Sequence, residues 1–127
     1  MINKARKGQR KELLARKQLE EEGCRVLFKS QRTRFGPIDF AHLFDIVAVG
    51  FSTWRFVSCK HYGKSGKYAQ HQRDILHFAE EYFLEKMIAE LWIWHRPAWV
   101  GRGKNKKWVR GYFEKIVIWN RDMNKLC

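Results

Sequence analysis

The sequence predicts a single α/β domain over residues 1–127, with a mixed central β-sheet flanked by helices in the order α-β-β-β-α-β-β. Two long stretches are rich in helix-forming residues, and short runs of β-branched and aromatic residues lie between and after them. Hydrophobic residues make up 45% of the 127 residues, which is enough for one packed core, and the chain is too short for two. Alternating helices and strands are typical of a layered α/β domain.

The helices are predicted from composition and from the residues that end them. Ala, Leu, Lys, Arg, Gln and Glu dominate residues 3–22, and Gly23 provides a helix stop. A second helix is predicted over residues 68–88. Its inner stripe is Ile75, Ala79, Tyr82 and Phe83.

The strands are predicted from apolar runs bounded by turn or loop residues, at residues 24–28, 43–49, 54–60, 89–94 and 108–119. Gly50 leads tightly from the second run into the third, so these two strands should form an antiparallel hairpin. Polar or basic loops are predicted at residues 29–39, 61–67 and 101–107.

Charge is the strongest compositional signal. The chain has 26 Lys and Arg residues against 13 Asp and Glu residues, a formal net charge of +13. Self-repulsion of this size is tolerated most easily when the working partner is a polyanion. Nucleic acid is therefore the first candidate partner, and an anionic membrane surface is the second.

The sequence also indicates where the protein works. No apolar run approaches the ~20 residues that a membrane helix needs, and no apolar stretch follows the N-terminal charges as in a secretory signal. The three cysteines, at positions 24, 59 and 127, lack CxxC spacing and indicate a reducing compartment. We expect no membrane partner and a cytoplasmic location, in a prokaryotic cell or a virus-infected host cell.

Two acids and one lysine are placed where apolar residues are expected. Glu12 shares the inner stripe of the first helix with small and apolar residues, and Asp45 and Lys60 lie in apolar strands. The hairpin through Gly50 should bring Asp45 and Lys60 to one end of the sheet. Carboxylates are the ligands that Mg²⁺ prefers, and a nearby lysine stabilises developing charge, as metal-assisted phosphodiester hydrolysis requires.

Three motifs then resemble a known family. Gly8-x-x-x-Glu12-Leu13, Phe44-Asp45-Ile46-Val47-Ala48 and Val57-Ser58-Cys59-Lys60 are similar to the motifs of the archaeal-type Holliday-junction resolvases, a branch of the PD-(D/E)xK nuclease superfamily. The resemblance covers about residues 8–80. It implies a restriction-endonuclease-like core and a Mg²⁺-dependent endonuclease, for which Mn²⁺ should substitute. It also implies a homodimer that resolves four-way DNA junctions.

The resemblance assigns roles to residues of this chain. Glu12, Asp45 and Lys60 would be catalytic, and Ser30 resembles the serine of the family's mobile substrate-side loop. A glutamine on the following helix often faces the site in this family. Gln72 is the preferred candidate, with Gln70 and His71 as alternatives.

Two departures from the family pattern affect the predicted metal site. Ser58 stands where the family has a glutamate, so we expect Glu12, Asp45, the backbone carbonyl of Cys59 and water to hold the ion. The family pattern has a proline before the aspartate, whereas Asp45 follows a phenylalanine. Asp39 is therefore a rival to Asp45, since it lies in Gly36-Pro37-Ile38-Asp39. Asp45 is preferred because residues around Asp39 lack the strand pattern.

DNA contacts are predicted at polar and basic positions of the loops: Ser30, Arg32, Arg34, His61, Lys64, Lys67, Arg102, Lys104, Lys106 and Lys107. Five tryptophans cluster around the last two strands: Trp92, Trp94, Trp99, Trp108 and Trp119. Core or dimer packing is preferred for them over base stacking.

Two other functions remain open. A sequence-specific homing or restriction-like endonuclease could use the same core, although a chain of 127 residues leaves little room for elements that read base edges. A catalytically silent DNA- or RNA-binding module is the alternative from another class, and Ser58 keeps it open.

Overall fold

The computed structural model describes residues 4–34, 36–62 and 68–120. Within these ranges the helices are α1 (Lys4–Glu21) and α2 (Ala69–Tyr82). The strands are β1 (Arg25–Lys29), β2 (Gln31–Thr33), β3 (Gly36–Ile38), β4 (Ile46–Gly50), β5 (Thr53–His61), β6 (Met87–His95), β7 (Ala98–Val100), β8 (Lys107–Val109) and β9 (Tyr112–Asn120).

The predicted α/β class with a mixed central sheet is confirmed. Five strands form the sheet in the order β1-β4-β5-β6-β9. Strands β5 and β6 run parallel, and every other neighbouring pair is antiparallel. Helix α2 lies between β5 and β6 in sequence and supplies the crossover that parallel neighbours need. Two small hairpins, β2–β3 and β7–β8, stand outside this sheet.

The helices cover different faces of the sheet, as the alternation of side chains along β4 shows. Ile46 and Ala48 pack with Ala15 and Leu19 of α1, whereas Val47 packs in a second cluster. That second cluster is Phe44, Val47, Phe56, Ile75, Ala79, Phe83 and Ala89, and it includes the inner stripe of α2. Each helix therefore fixes one face of the β4–β5 hairpin.

Helix α2 ends earlier than the sequence predicts. It stops at Tyr82, and Phe83 has extended backbone angles of −76° and 135°. Phe83 stays buried because its ring packs 4.6 Å from the ring of Phe56. Tyr82, predicted on the inner stripe, is exposed. The apolar pattern therefore predicted the burial of Phe83 correctly, but the predicted helical conformation after residue 82 is wrong.

The predicted last strand, residues 108–119, is divided into β8 and β9. The break falls at Gly111, where an added Cβ would lie 2.4 Å from Cζ2 of Trp94. The predicted loop 101–107 is largely the turn of the β7–β8 hairpin, and the predicted loop 29–39 contains the β2–β3 hairpin.

The tryptophans differ in their environments. Trp92 is fully buried in the core beside α1, as predicted. Trp99 and Trp108 lie on β7 and β8, where their side chains are 64% and 55% exposed, so core packing is wrong for this pair.

No helix in the described ranges is both long and apolar enough to cross a membrane. Cys24 and Cys59 are free thiols, and both are buried in the sheet core.

Candidate active site

Helix α1 carries the first two groups of the site. Ala15 and Leu19 anchor the helix on the sheet because both are completely buried. Lys11 and Glu12 precede Ala15 by four and three residues, so they share its sheet-facing side. Lys11 is only 8% exposed, and Glu12 is partly buried. The helix therefore presents one cation and one acid to the end of the sheet.

Asp45 is fixed on β5 by two hydrogen bonds. Its backbone N–H donates to the carbonyl oxygen of Val57 at 2.9 Å. The backbone N–H of Cys59 donates to Oδ2 of Asp45 at 2.6 Å. The predicted antiparallel hairpin is present, with Ile46 opposite Val57 and Gly50 opposite Thr53. Asp45 therefore lies at the end of β5 that also carries Lys60.

The carboxyl groups of Glu12 and Asp45 are close enough to interact directly. Burial raises the pKa of Glu12 to about 7, and the negative charges of Asp45 and Asp39 and a hydrogen-bonding contact with the Asp45 carboxyl add to this rise. Burial also raises the pKa of Asp45, although the hydrogen bond from the N–H of Cys59 partly opposes this rise. Two carboxyls with raised pKa values form a site that favours a proton or a cation between them.

Two lysines act on this pair. Burial lowers the pKa of Lys11, and the charge of Lys60 lowers it further, whereas the charges of Asp45 and Glu12 oppose the shift. The charge of Lys60 likewise acts on Asp45, lowering its pKa. Lys60 thus lies within electrostatic reach of Asp45, as the sequence predicts. Lys11 was not among the predicted site residues.

Asp39 belongs to the same cluster as Asp45 rather than replacing it. The hydroxyl of Ser30 donates to Oδ1 of Asp39, and the N–H of Ser30 donates to the carbonyl oxygen of Asp45 at 2.6 Å. The charge of Asp39 raises the pKa values of both Glu12 and Asp45. Ser30, predicted as a DNA contact, therefore connects the two aspartates.

Ser58 is covered by helix α2. Its side chain is 0% exposed, and its Oγ shares a 2.7 Å hydrogen bond with Nε2 of His71. Burial lowers the pKa of His71, and the charge of Lys60 lowers it further, so the neutral ring is favoured. Glu80 and Glu81 are exposed, so neither replaces the family's glutamate.

Gln72 was the preferred helix residue of the predicted site. The structure places it on α2 next to His71, with a backbone hydrogen bond from its N–H to the carbonyl of Tyr68 at 2.9 Å. The contact with Ser58 is made by His71, the less favoured alternative. His71 also lies within the electrostatic reach of Lys60 and Asp39.

The donor set fits a hydrated hard cation. Among the described residues, no group of three His, Cys, Asp or Glu side chains is arranged to enclose a metal ion. Glu12 and Asp45 nevertheless offer paired carboxylate oxygens, and a Mg²⁺ ion commonly binds one or two carboxylates and keeps several waters. The backbone carbonyls of residues two apart on a strand point toward the same neighbouring strand. The carbonyl of Val57 accepts a hydrogen bond from the N–H of Asp45, so the carbonyl of Cys59 is directed to the side of Asp45 as well.

The predicted DNA contacts occupy several places. Arg102, Lys104, Lys106 and Lys107 are exposed in and around the turn of the β7–β8 hairpin, and Arg34 is exposed after β2. His61 ends β5, where its carbonyl accepts a hydrogen bond from the hydroxyl of Tyr68. Arg32 lies in β2, and Lys64 and Lys67 lie outside the described residues.

Comparisons of the chain with protein-family models, with curated proteins and with solved structures gave no match.

Proposed function

We propose that the protein is a divalent-metal-dependent endonuclease that hydrolyses phosphodiester bonds in DNA. One observation carries the proposal: the carboxyls of Glu12 and Asp45 interact directly, at the end of β5 where Lys60 acts on Asp45. The cluster brings together one acid from a helix, one acid from the position just before β4 and one lysine two residues after Ser58. Its chemistry suits a phosphate held between a metal ion and a cation.

Each residue has a defined part in this reaction. Glu12 and Asp45 would hold the ion, with Cys59 contributing its carbonyl and fixing Asp45 through its N–H. When bound there, Mg²⁺ would supply Lewis-acid polarisation of the phosphate and would lower the pKa of a bound water. The ammonium group of Lys60 stabilises the negative charge that develops on the phosphate. Lys11 stabilises the charged form of the carboxylates from its buried position.

The surface charge supports DNA as the substrate. A net charge of +13 attracts the phosphate backbone, and Arg102, Lys104, Lys106 and Lys107 are exposed to receive it. The resemblance to the archaeal-type resolvases supports a four-way junction as the target and Mg²⁺, or Mn²⁺ in its place, as the ion. Two strands of a junction need two sites, which supports a homodimer, working in the cytoplasm.

Cleavage assays on two DNAs test the proposal. Supercoiled plasmid and a synthetic four-way junction are incubated with the protein in Mg²⁺, in Mn²⁺ and in EDTA. We expect metal-dependent cutting of the junction, loss of cutting in Asp45→Asn and unchanged cutting in Glu80→Gln, which alters an exposed acid outside the site. Cutting of linear duplex at one sequence would instead identify a homing-type or restriction-like enzyme.

A catalytically silent nucleic-acid-binding module is the second candidate. The burial of Ser58 under His71 favours it, because that position supplies no third carboxylate. The same assays separate the two functions. Tight DNA binding with no cutting in either metal, at any concentration tested, would overturn the nuclease proposal and favour the binding module.

A further inference from the structure

One basic segment projects from the sheet without burying any residue. Every residue of 96–110 is exposed, and the segment contains the whole β7–β8 hairpin. Its cations are Arg96, Arg102, Lys104, Lys106, Lys107 and Arg110, and the segment contains no Asp or Glu. A polyanion is the partner that this charge favours.

The hairpin also exposes two large aromatic rings. Trp99 and Trp108 are directly opposite each other across the β7–β8 pair, with ring centroids 5.4 Å apart and planes at 61°. Cross-strand aromatic pairs stabilise a hairpin, yet each of these rings keeps more than half of its surface open. Exposed indole faces on a basic segment are a combination with which proteins bind unpaired bases and their phosphates.

The sheet topology places this hairpin at the active-site end. Strand β6 runs parallel to β5, with Ile93 paired to Lys60, so the C-terminal ends of both strands meet at one edge. The hairpin leaves the sheet after His95 and returns at Tyr112, which are paired across β6 and β9. It therefore begins and ends at the edge that carries Lys60.

More aromatic surface lies at the base of the hairpin. The ring of His95 packs against those of Tyr62 and Tyr112, at centroid distances of 4.5 Å and 4.7 Å. Both tyrosines are exposed. Gly111 is held close to Trp94 and Pro97, with room for no Cβ between them, so the hairpin leaves the sheet at a tightly packed point.

We propose that the β7–β8 hairpin binds unpaired nucleotides of branched DNA, with Trp99 and Trp108 stacking on bases and the neighbouring cations contacting phosphates. This inference rests on the proposed nuclease function and specifies its substrate: DNA in which bases near the cut are unpaired. A second copy of the chain is a poorer occupant, because two such hairpins would bring like charges together.

Binding measured without cleavage tests the inference. The parent for this experiment is Asp45→Asn, and the probes are a duplex, a fully paired junction and the same junction with a short unpaired stretch at the branch. We expect the parent to prefer the unpaired junction. Trp99→Val with Trp108→Val keeps β-branched residues in the hairpin and should reduce that preference at least about fivefold, since base–aromatic stacking contributes on the order of 1–3 kcal/mol per base.

Three controls separate stacking from charge and from misfolding. Lys104→Ala with Lys106→Ala should weaken binding to all three DNAs alike. Trp54→Val changes an exposed tryptophan at the opposite end of β5 and should leave the preference intact. Trp99→Phe with Trp108→Phe keeps aromatic faces and should retain most of the preference. A fluorescent base analogue in the unpaired stretch should be quenched when the parent binds and not when the valine variant binds.

Two results would overturn the inference. One is an unchanged preference in the valine variant, and the other is conversion of a dimer to a monomer by the same substitutions, which would make the hairpin an interface between copies. Neither result overturns the nuclease proposal, which is decided by metal-dependent cleavage in the unaltered chain.

Discussion

Asp45 offers the clearest separation of chemistry from folding. In Asp45→Asn an amide oxygen can still accept the N–H of Cys59, while the charge needed for a cation is lost. We expect cleavage to disappear and junction affinity, measured by fluorescence anisotropy, to stay within a few-fold of the parent, because Lys and Arg contacts to phosphates dominate affinity. Loss of folding together with binding would instead make Asp45 a structural residue.

The pKa of Glu12 predicts how stability depends on pH. Its value in the folded protein, about 7, lies above the ordinary value of 4.5. The folded protein therefore binds more protons than the unfolded chain between these values, and the free energy of unfolding falls as pH rises through this window. Glu12→Gln removes this pH-dependent loss of stability, because glutamine has no titratable carboxyl. In metal-free buffer, its Tm should exceed that of the parent above pH 7, and the difference should vanish at a pH below 4.5.

A Tm difference between Glu12→Gln and the parent that does not change with pH would contradict the raised pKa. Glu20→Gln is the matched control, because Glu20 lies on the same helix and is exposed. Its Tm should follow that of the parent throughout the titration.

Ser58 predicts a contrast between two substitutions. Ser58→Ala removes one hydrogen bond to His71 and should cost about 1 kcal/mol of unfolding free energy while leaving metal-dependent cleavage intact. Ser58→Glu forces a larger, charged side chain into a fully buried position and should lower the Tm strongly. A well-folded Ser58→Glu that cleaves at lower Mg²⁺ concentration would show that this position faces the ion, as in the resembled family.

At the scale of single residues, the sequence predicted the groups that conflict with their surroundings. Glu12, Asp45 and Lys60 are charged residues in apolar stripes, and the structure places all three at one end of the sheet. Lys11 is one of 26 cations, so composition could not distinguish it before its burial was known. Asp39 enters the cluster through a loop hydrogen bond to Ser30, a contact that no periodicity reveals.

At the scale of elements, local signals predicted the hairpin of β4 and β5 better than the end of α2. Gly50 and alternating apolar residues specify a hairpin within a few positions. Helix and strand share an apolar pattern near Phe83, and only tertiary packing against Phe56 decides between them. The β7–β8 hairpin was missed because its glycines and lysines have the composition of a loop.

Helix α1 determines where Glu12 lies, and the residues that anchor this helix on the sheet should be sensitive to substitution. Leu19 is completely buried against the sheet, whereas Leu14 on the same helix is 37% exposed. Leu19→Ala should lower the free energy of unfolding in urea by about 2–5 kcal/mol, as buried leucines do. Leu14→Ala is the matched control and should lower it by less than half as much. Equal losses would mean that α1 is not held by the face that carries Ala15 and Leu19.

At the scale of the whole molecule, acids that are paired within the fold differ from those of the candidate site. Near the start of β5, Arg55 binds Glu90 through two hydrogen bonds of 2.8 Å and 2.9 Å. Glu22 binds both Arg55 and Lys115 beside them. These acids are therefore neutralised within the fold, by cations on β5 and β9. The end of the sheet that carries Lys60 combines the paired carboxyls of the site with the exposed cations of the β7–β8 hairpin.

This division of charge predicts steep salt dependence of DNA binding. A protein that contacts six or more phosphates should lose affinity by a factor on the order of 10³ between about 50 and 200 mM salt, because each contact releases condensed counterions. Lys106→Ala, in the hairpin turn, should weaken binding to all DNA forms alike and reduce the slope of log affinity against log salt by about one. Glu81→Gln adds one unit of positive charge on the exposed side of α2, away from the hairpin, and should leave the slope unchanged. Binding that is insensitive to salt would exclude nucleic acid as the reason for the net charge of +13.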